Sequence, residues 1–392
     1  MKKKIGVATL GNAKENYGQI LQAYALQAFL KKNGYDPFLI RYRRKITLED
    51  EKGLRKFAKR IYLLLKGDNT DRKIKNPDAE IEVHLSLKQK DFQDFYNNLF
   101  NQTDLFYHGI KELRENPPQA DVYIAGSDQI WNWGGRYGYD PAYFLQFGSK
   151  NIKRIVYAAG MSKISSSAAA KNELKEYMKN LDRVALREPT GIPILKEAGC
   201  KDPQVVLDPS LLLDNEDYDA LTNSVEPIKE NYVLGYFINF ESPESINWGN
   251  IENYLESEDI TFKYVSSEGY YDPIHKLGKY ENQHFTIAEW ISAYQNATYV
   301  VTSSYHGLLF SIFNKKPFLF FFVQNSKHKY GENRAKYILG ELGLETRLYD
   351  RNSSKSFKEQ LEAPIDWNNV EKKYKALKDK SIKFLLDAIE GV

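Results

Sequence analysis

The chain has 392 residues, 42% hydrophobic and 27% charged, and its 55 basic against 52 acidic residues leave a formal charge of +3. This composition excludes disordered, collagen-like and low-complexity classes and suggests two globular domains. The near-neutral charge gives no footing for nucleic acid as a partner. The longest apolar run, Phe318–Val323, is far short of the roughly 20 residues of a membrane span. One cysteine, Cys200, excludes an internal disulfide framework and a thiolate metal cluster, and six histidines leave little material for other metal chemistry. The basic start Met1–Lys4 is followed by an apolar stretch that stops at Gly11-Asn12. It reads as a first strand rather than a signal peptide, which makes the cytoplasm the expected compartment.

Strand-like and helix-like patterns alternate along the chain, the signature of parallel sheets with crossover helices. Lys4–Leu10 reads as a strand, Asn16–Gly34 as a helix and Phe38–Tyr42 as a strand. Asp121–Ala125 and Arg154–Ala159 are further buried strands, and Ser165–Lys179 is a helix. A second series opens with strand Val184–Leu186, helix Gly191–Ala198 and strands Val205–Leu207, Tyr232–Phe237 and Phe262–Val265. It continues with helix Thr286–Asn296, strand Tyr299–Thr302, helix Gly307–Phe313, strand Phe318–Phe322 and helices Arg334–Leu342 and Trp367–Ile389. The expected division is a first domain over 1–183 and a second over 184–366, with the last helix, 367–392, packing back on the first.

The polar stretches 48–116 and 240–285 are expected to be excursions or lids. Residues 41–66 carry ten basic and three acidic side chains, and Gly53–Lys66 has helical apolar spacing through Leu54, Phe57, Ile61, Leu64 and Leu65. One expectation is a helix packed on its own domain with a solvated basic edge. The other is peripheral contact with an anionic membrane.

In doubly wound sheets, ligands collect beyond the carboxyl ends of the strands, where helix N-termini favour anions. Four turns qualify. The first holds Asn12, Asn16, Tyr17 and Gly18, where Asn16 can cap the helix or donate to a ligand. The second is Thr302-Ser303-Ser304-Tyr305-His306-Gly307, which offers hydroxyls, an imidazole and a glycine as a phosphate cradle. The third is Gly126-Ser127-Asp128-Gln129, and the fourth Arg187-Glu188, where a guanidinium can clamp a carboxylate or phosphate. Each has a bland alternative as a cap, a tight turn or a surface pair; a cleft between two α/β halves would bring all four together.

These segments resemble the polysaccharide pyruvyl transferase family. Asn16-Tyr17-Gly18 with Leu21-Gln22-Ala23-Tyr24-Ala25-Leu26 is similar to its opening motif, as is Gly126 through Asn132. Arg187-Glu188 followed by Val206-Leu207-Asp208-Pro209-Ser210 is similar to its middle block. Ala297–Val301 with Ser303-Ser304-Tyr305-His306-Gly307 is similar to its C-terminal block. Tyr305 stands where the family often has Phe, and Ala185 where it often has Ser. The resemblance implies two Rossmann-like domains with parallel sheets in a glycosyltransferase-B-like arrangement. It implies transfer of pyruvate from phosphoenolpyruvate to two hydroxyls of a saccharide, giving a ketal, with no metal or other cofactor required. On that reading His306 is a general acid or phosphate ligand and Arg187 a carboxylate or phosphate clamp. Arg334 is a second clamp, Asp128 and Glu188 are alternative bases, and Ser127, Ser303, Ser304 and Gly307 line the substrate. Two alternatives remain: a glycosyltransferase with a nucleotide-sugar donor, and a non-catalytic subunit of polysaccharide assembly. A dinucleotide oxidoreductase is disfavoured, because no G-x-G-x-x-G follows the first strand.

Overall fold

The computed structural model describes residues 2–11, 15–44, 79–238, 240, 242–267, 277–323 and 332–391, the side chains of 79–87 and 136 aside. Asn12 and the basic stretch Gly53–Lys66 lie outside the described residues.

The first sheet has six parallel strands: β1 (Lys4–Ala8), β2 (Asp36–Leu39), β3 (Val122–Ala125), β4 (Lys153–Ala159), β5 (Arg183–Leu186) and β6 (Gln204–Val205). Their order is β2-β1-β3-β4-β5-β6. The second has β7 (Tyr232–Ile238), β8 (Thr261–Ser267), β9 (Tyr299–Thr302) and β10 (Phe318–Phe320), all parallel, in the order β10-β9-β7-β8. The central strands are mostly apolar because helices cover both faces; every residue of β3 is buried. The fold class is thus the expected one, two Rossmann-like parallel α/β units.

The expected boundary at 183/184 is corrected by strand pairing. β5 hydrogen-bonds to β4 and β6 to β5, so the first sheet extends through Val205. Arg187 therefore follows a strand of the first sheet, not of the second. The short apolar run Val184–Leu186 fits either sheet; only its partner decides.

Each sheet reverses direction once. In the first, the chain goes outward from β1 to β2 and returns to β3 on the other side. In the second it goes from β7 to β8 and returns to β9. The crevices beyond β1/β3 and β7/β9 are the switch points at which such sheets bind ligands.

The helices that shape these crevices are α1 (Tyr17–Lys32), α2 (Ala79–Leu99), α3 (Ile287–Asn296), α4 (Tyr305–Phe313), α5 (Glu332–Leu342) and α6 (Trp367–Glu390). Asn16 caps α1 by accepting from the Gln19 amide at 3.0 Å, and Lys31 and Lys32 sit at its negative end. α6 lies on the first sheet. Its Ser381 Oγ accepts from Leu207 N at 2.9 Å, and Lys153 Nζ reaches the Ile389 carbonyl at 3.2 Å.

A single apolar core runs from the first unit into the second. Tyr17, at the start of α1, stacks on Trp290 of α3 at 5.2 Å between centroids and 7° between planes. Its hydroxyl donates to the Phe285 carbonyl at 2.5 Å. Lys88 of α2 is buried and donates to the Ser266 carbonyl at 3.0 Å, with its ammonium 5.1 Å from the Tyr17 ring centroid. Burial lowers that ammonium to about 8. Asp91 of α2 accepts from Ile287 N at 3.0 Å, capping α3 from the other unit, and burial pushes its carboxyl up to about 6.

Candidate active site

The two switch points face one another, and the polar groups beyond them form one cluster around Asp208. Strand β3 leads into Ser127 and Asp128, β5 into Arg187 and Glu188, and a short turn after β6 carries Asp208. From the other side come the first turn of α4, with Tyr305 and His306, and the first turn of α5, with Arg334.

Asp208 is completely buried. Its Oδ1 accepts from the Ser210 amide (3.0 Å) and hydroxyl (2.8 Å). Its Oδ2 accepts from Ser127 Oγ (2.8 Å) and Arg187 Nη1 (2.9 Å), and His306 Nε2 stands 3.6 Å from the same oxygen. Burial alone would raise this carboxyl; His306 and Arg187 outweigh it and hold Asp208 well below the usual carboxylate range. Burial would likewise lower the Arg187 guanidinium, but the carboxylates of Asp208 and Glu188 more than reverse that.

Arg187 and Arg334 converge on one aromatic face system: their guanidinium carbons lie 4.8 Å and 5.0 Å from the Tyr305 ring centroid. With its oxygen turned toward them, the Gln129 amide accepts from Arg187 Nη2 at 3.0 Å and from Arg334 Nη1 at 2.7 Å. Arg187 is matched by carboxylates, whereas Arg334 has no ion-pair partner among the described residues. Burial, and then repulsion from Arg187, lower the Arg334 guanidinium. A cation held this way is stabilised by an incoming anion.

Asp128 adopts a left-handed backbone, φ 73°, a conformation that costs a non-glycine residue free energy and concentrates at functional sites. Its carbonyl is held by the amides of Gly160 (2.7 Å) and Ile130 (2.8 Å). The turn aims its carboxylate into the cluster, with Oδ1 3.7 Å from Arg187 Nη2 and Oδ2 accepting from Gln19 Nε2 at 2.9 Å.

Helix α4 begins at Tyr305, two residues before the expected start, because Ser304 serves as its cap and accepts from Gly307 N at 3.3 Å. This puts His306 inside the first turn, beside the free amides of the helix end. Its imidazole packs directly on α1: a Cβ at Gly18 would lie 2.0 Å from His306 Nδ1 and 2.2 Å from Cγ. Glycine at position 18 is thus what lets the two units close around the histidine.

His306, Arg187, Asp128, Glu188, Ser127, Gly18 and Arg334 are therefore brought together, although His306 and Arg187 arise from different sheets. Others are placed in supporting roles. Tyr17 is a buried packing residue between the units. Ser127 Oγ is committed to Asp208. Ser303 Oγ bridges the ends of β7 and β9, accepting from Ile238 N at 3.0 Å and donating to its carbonyl at 3.2 Å. Ser304 and Asn16 are helix caps. Gly307 provides clearance, since a Cβ there would meet Thr302 Oγ1 at 2.2 Å. Glu188 Oε1 accepts from Met161 N (2.9 Å) and Ser162 Oγ (3.1 Å), and its side chain is 1% exposed. That leaves Asp128 as the carboxylate better placed to receive a proton from a ligand. The central residue absent from the sequence-based set is Asp208. Its available signal was Asp-Pro-Ser directly after the apolar run Val205–Leu207. Gln129 lay in the third candidate turn but was given no role of its own, and Gln19 was absent and carried no distinguishing pattern.

Arginines, a histidine and carboxylates thus gather at the switch points of a two-unit parallel α/β fold. The sequence matches the family model described as polysaccharide pyruvyl transferase over residues 16–323, and the chain belongs to that family. No curated protein matches the chain. Among solved structures it is similar to the UDP-GlcNAc 2-epimerase of Neisseria meningitidis bound to UDP-GlcNAc, at 10% identity and a TM-score of 0.46, covering 98% of this chain and 100% of that one. It is also similar to the glycotransferase of kitacinnamycin, at 10% identity and a TM-score of 0.48, covering 99% of each chain. Among the described residues, no helix is long and apolar enough to cross a membrane.

Proposed function

We propose that the protein transfers the pyruvyl group of phosphoenolpyruvate onto two hydroxyls of one saccharide unit of a polysaccharide or its precursor, forming a cyclic ketal and releasing phosphate. The observation that carries this reading is the convergence of Arg334, which lacks an ion-pair partner among the described residues, with His306 in the first turn of α4. A donor with a phosphate and a carboxylate needs fixed cations and helix amides. Arg334 serves as the principal clamp, with Arg187 supplying field from behind it.

The reaction needs a proton at C3 of the donor, which turns the methylene into a methyl and makes C2 electrophilic. One hydroxyl adds to C2. The second then displaces phosphate. Of the two hydroxyl protons, one replaces the proton given to C3 and the other leaves with phosphate. His306 is the acid, and Asp128, aimed by its left-handed turn, is the base for the acceptor.

The test is incubation of the full chain with phosphoenolpyruvate and a saccharide panel, reading phosphate release together with a pyruvyl mass gain on the acceptor. His306→Ala is expected to lower turnover by about 10²–10⁴-fold. Arg334→Ala is expected to abolish thermal stabilisation by phosphoenolpyruvate while leaving the unliganded melting temperature nearly unchanged. Stabilisation by nucleotide sugars instead, with no phosphate release, would replace this reading by the glycosyltransferase one.

A further inference from the structure

His306 has two ring nitrogens in different surroundings. Nε2 is sealed from solvent, has no hydrogen-bond partner among the described residues, and stands 3.6 Å from Asp208 Oδ2. Nδ1 faces the other way, against the first turn of α1 at Gly18. The donors around Asp208 are already directed. Ser127 Oγ and Arg187 Nη1 point to Oδ2, and the Ser210 amide and hydroxyl point to Oδ1. A lone pair on Nε2 would therefore face a carboxylate oxygen with no proton between them, which is repulsive. A proton on Nε2 would face an acceptor. The 3.6 Å separation exceeds that of a formed hydrogen bond, as is common in unliganded sites whose hydrogen bonds tighten with substrate.

We infer that Asp208 is a positioning residue that holds neutral His306 as its Nε2–H tautomer, so that His306 exchanges protons with substrate through Nδ1. This rests on the reading of His306 as the acid of the site. The four hydrogen bonds on Asp208 come from three segments of the first unit, so the carboxylate is held independently of the imidazole from the second unit. The proton that leaves Nδ1 goes to the donor carbon, and the Nδ1 lone pair so exposed takes a proton up again at the end of the cycle. The Nε2 proton stays with Asp208 throughout. Nucleophile-and-base triads use the same division of labour: a buried carboxylate selects which nitrogen works.

The tautomer can be read without any substrate, so the outcome is separate from whether pyruvyl transfer occurs. Protein labelled with ¹⁵N-histidine gives a long-range ¹H–¹⁵N spectrum in which protonated and bare ring nitrogens differ. The chain has six histidines, and His306 is assigned by the signals lost in His306→Gln. At a pH where the ring is neutral, the expected spectrum shows His306 protonated at Nε2, with the balance moving toward Nδ1–H in Asp208→Asn. If Asp208→Asn does not fold, the spectrum of the unaltered chain decides alone. A second arm compares His306→Asn, whose amide falls near the place of Nδ1, with His306→Gln, whose amide falls near that of Nε2. The Asn variant is expected to retain about tenfold more residual turnover. Protonation at Nδ1 in the unaltered protein, an unchanged tautomer in folded Asp208→Asn, or a Gln variant at least as active as the Asn variant would each overturn the assignment.

Discussion

Replacing Gly18 with alanine adds one methyl group at the seam between the two units. The new Cβ would sit 2.0 Å from His306 Nδ1, 2.2 Å from its Cγ and 2.5 Å from its Cβ. Ordinary contact begins at 3.4 Å, so imidazole and helix must separate by about 1.4 Å. The imidazole cannot simply rotate away, because its own Cβ is among the atoms met. Either α1 shifts, carrying Tyr17 off Trp290, or the start of α4 moves and takes His306 away from Asp208. Displacing a catalytic group by about 1 Å costs on the order of 10²-fold in rate, so turnover is expected to fall about 100-fold. Stability changes less. Overpacking costs about 1–3 kcal/mol, while alanine in place of glycine in a helix returns up to about 1 kcal/mol. Steady-state phosphate release, set beside a thermal melt of the same sample, tests both halves. A Gly18→Ala enzyme with near-normal kcat/KM would refute the packing of His306 on α1.

Three further outcomes follow from the same geometry. Arg187→Leu leaves Asp208 buried without its cation and is expected to destabilise the fold by about 3–5 kcal/mol, the usual cost of breaking one side of a buried ion pair; a denaturant-unfolding change below 1 kcal/mol would contradict the pairing. Ser303→Ala removes the side-chain bridge from Ser303 Oγ to Ile238 without touching the backbone pairing or the cluster, so it is expected to lower the melting temperature by a few degrees while leaving phosphoenolpyruvate stabilisation in place. Asp91 has a folded-state carboxyl raised to about 6 against an ordinary 3.8. Between these values the native state holds more protons than the unfolded one, so this group's contribution to stability is full below about pH 4 and lost as pH rises through 6. Asp91→Asn keeps an acceptor for Ile287 N and removes the ionised form. It is therefore expected to stabilise the chain above pH 6 by about 1 kcal/mol after allowance for partial exposure, and to do nothing near pH 4; equal effects at both pH values would rule out the titration.

What could be read along the chain was whatever depends on neighbours in sequence. Alternating apolar runs and helical spacing announce a parallel α/β protein, and residues after strands are candidates wherever such sheets bind ligands. Those local rules placed Arg187, His306 and Asp128 in the candidate set, the recurring motifs indicated the family, and the chemistry implied by that resemblance added Arg334. Tertiary structure decided everything that depends on which strand lies beside which. The run Val184–Leu186 is as apolar as a strand of either unit, and only its hydrogen bonds to β4 put it, and with it Arg187, in the first sheet. Tyr17 and Ser303 stand in polar turns, yet the hydroxyl of one is spent on the Phe285 carbonyl and that of the other on the end of β7. In the sequence, Asp208 stood only as one residue of a family-like segment and was given no role. It became the centre of the site because three distant segments, at Ser127, Arg187 and His306, close around one carboxylate. Periodicity carries no record of such closure, since the groups that meet are separated by up to 179 positions in sequence and are brought together by packing between the two units.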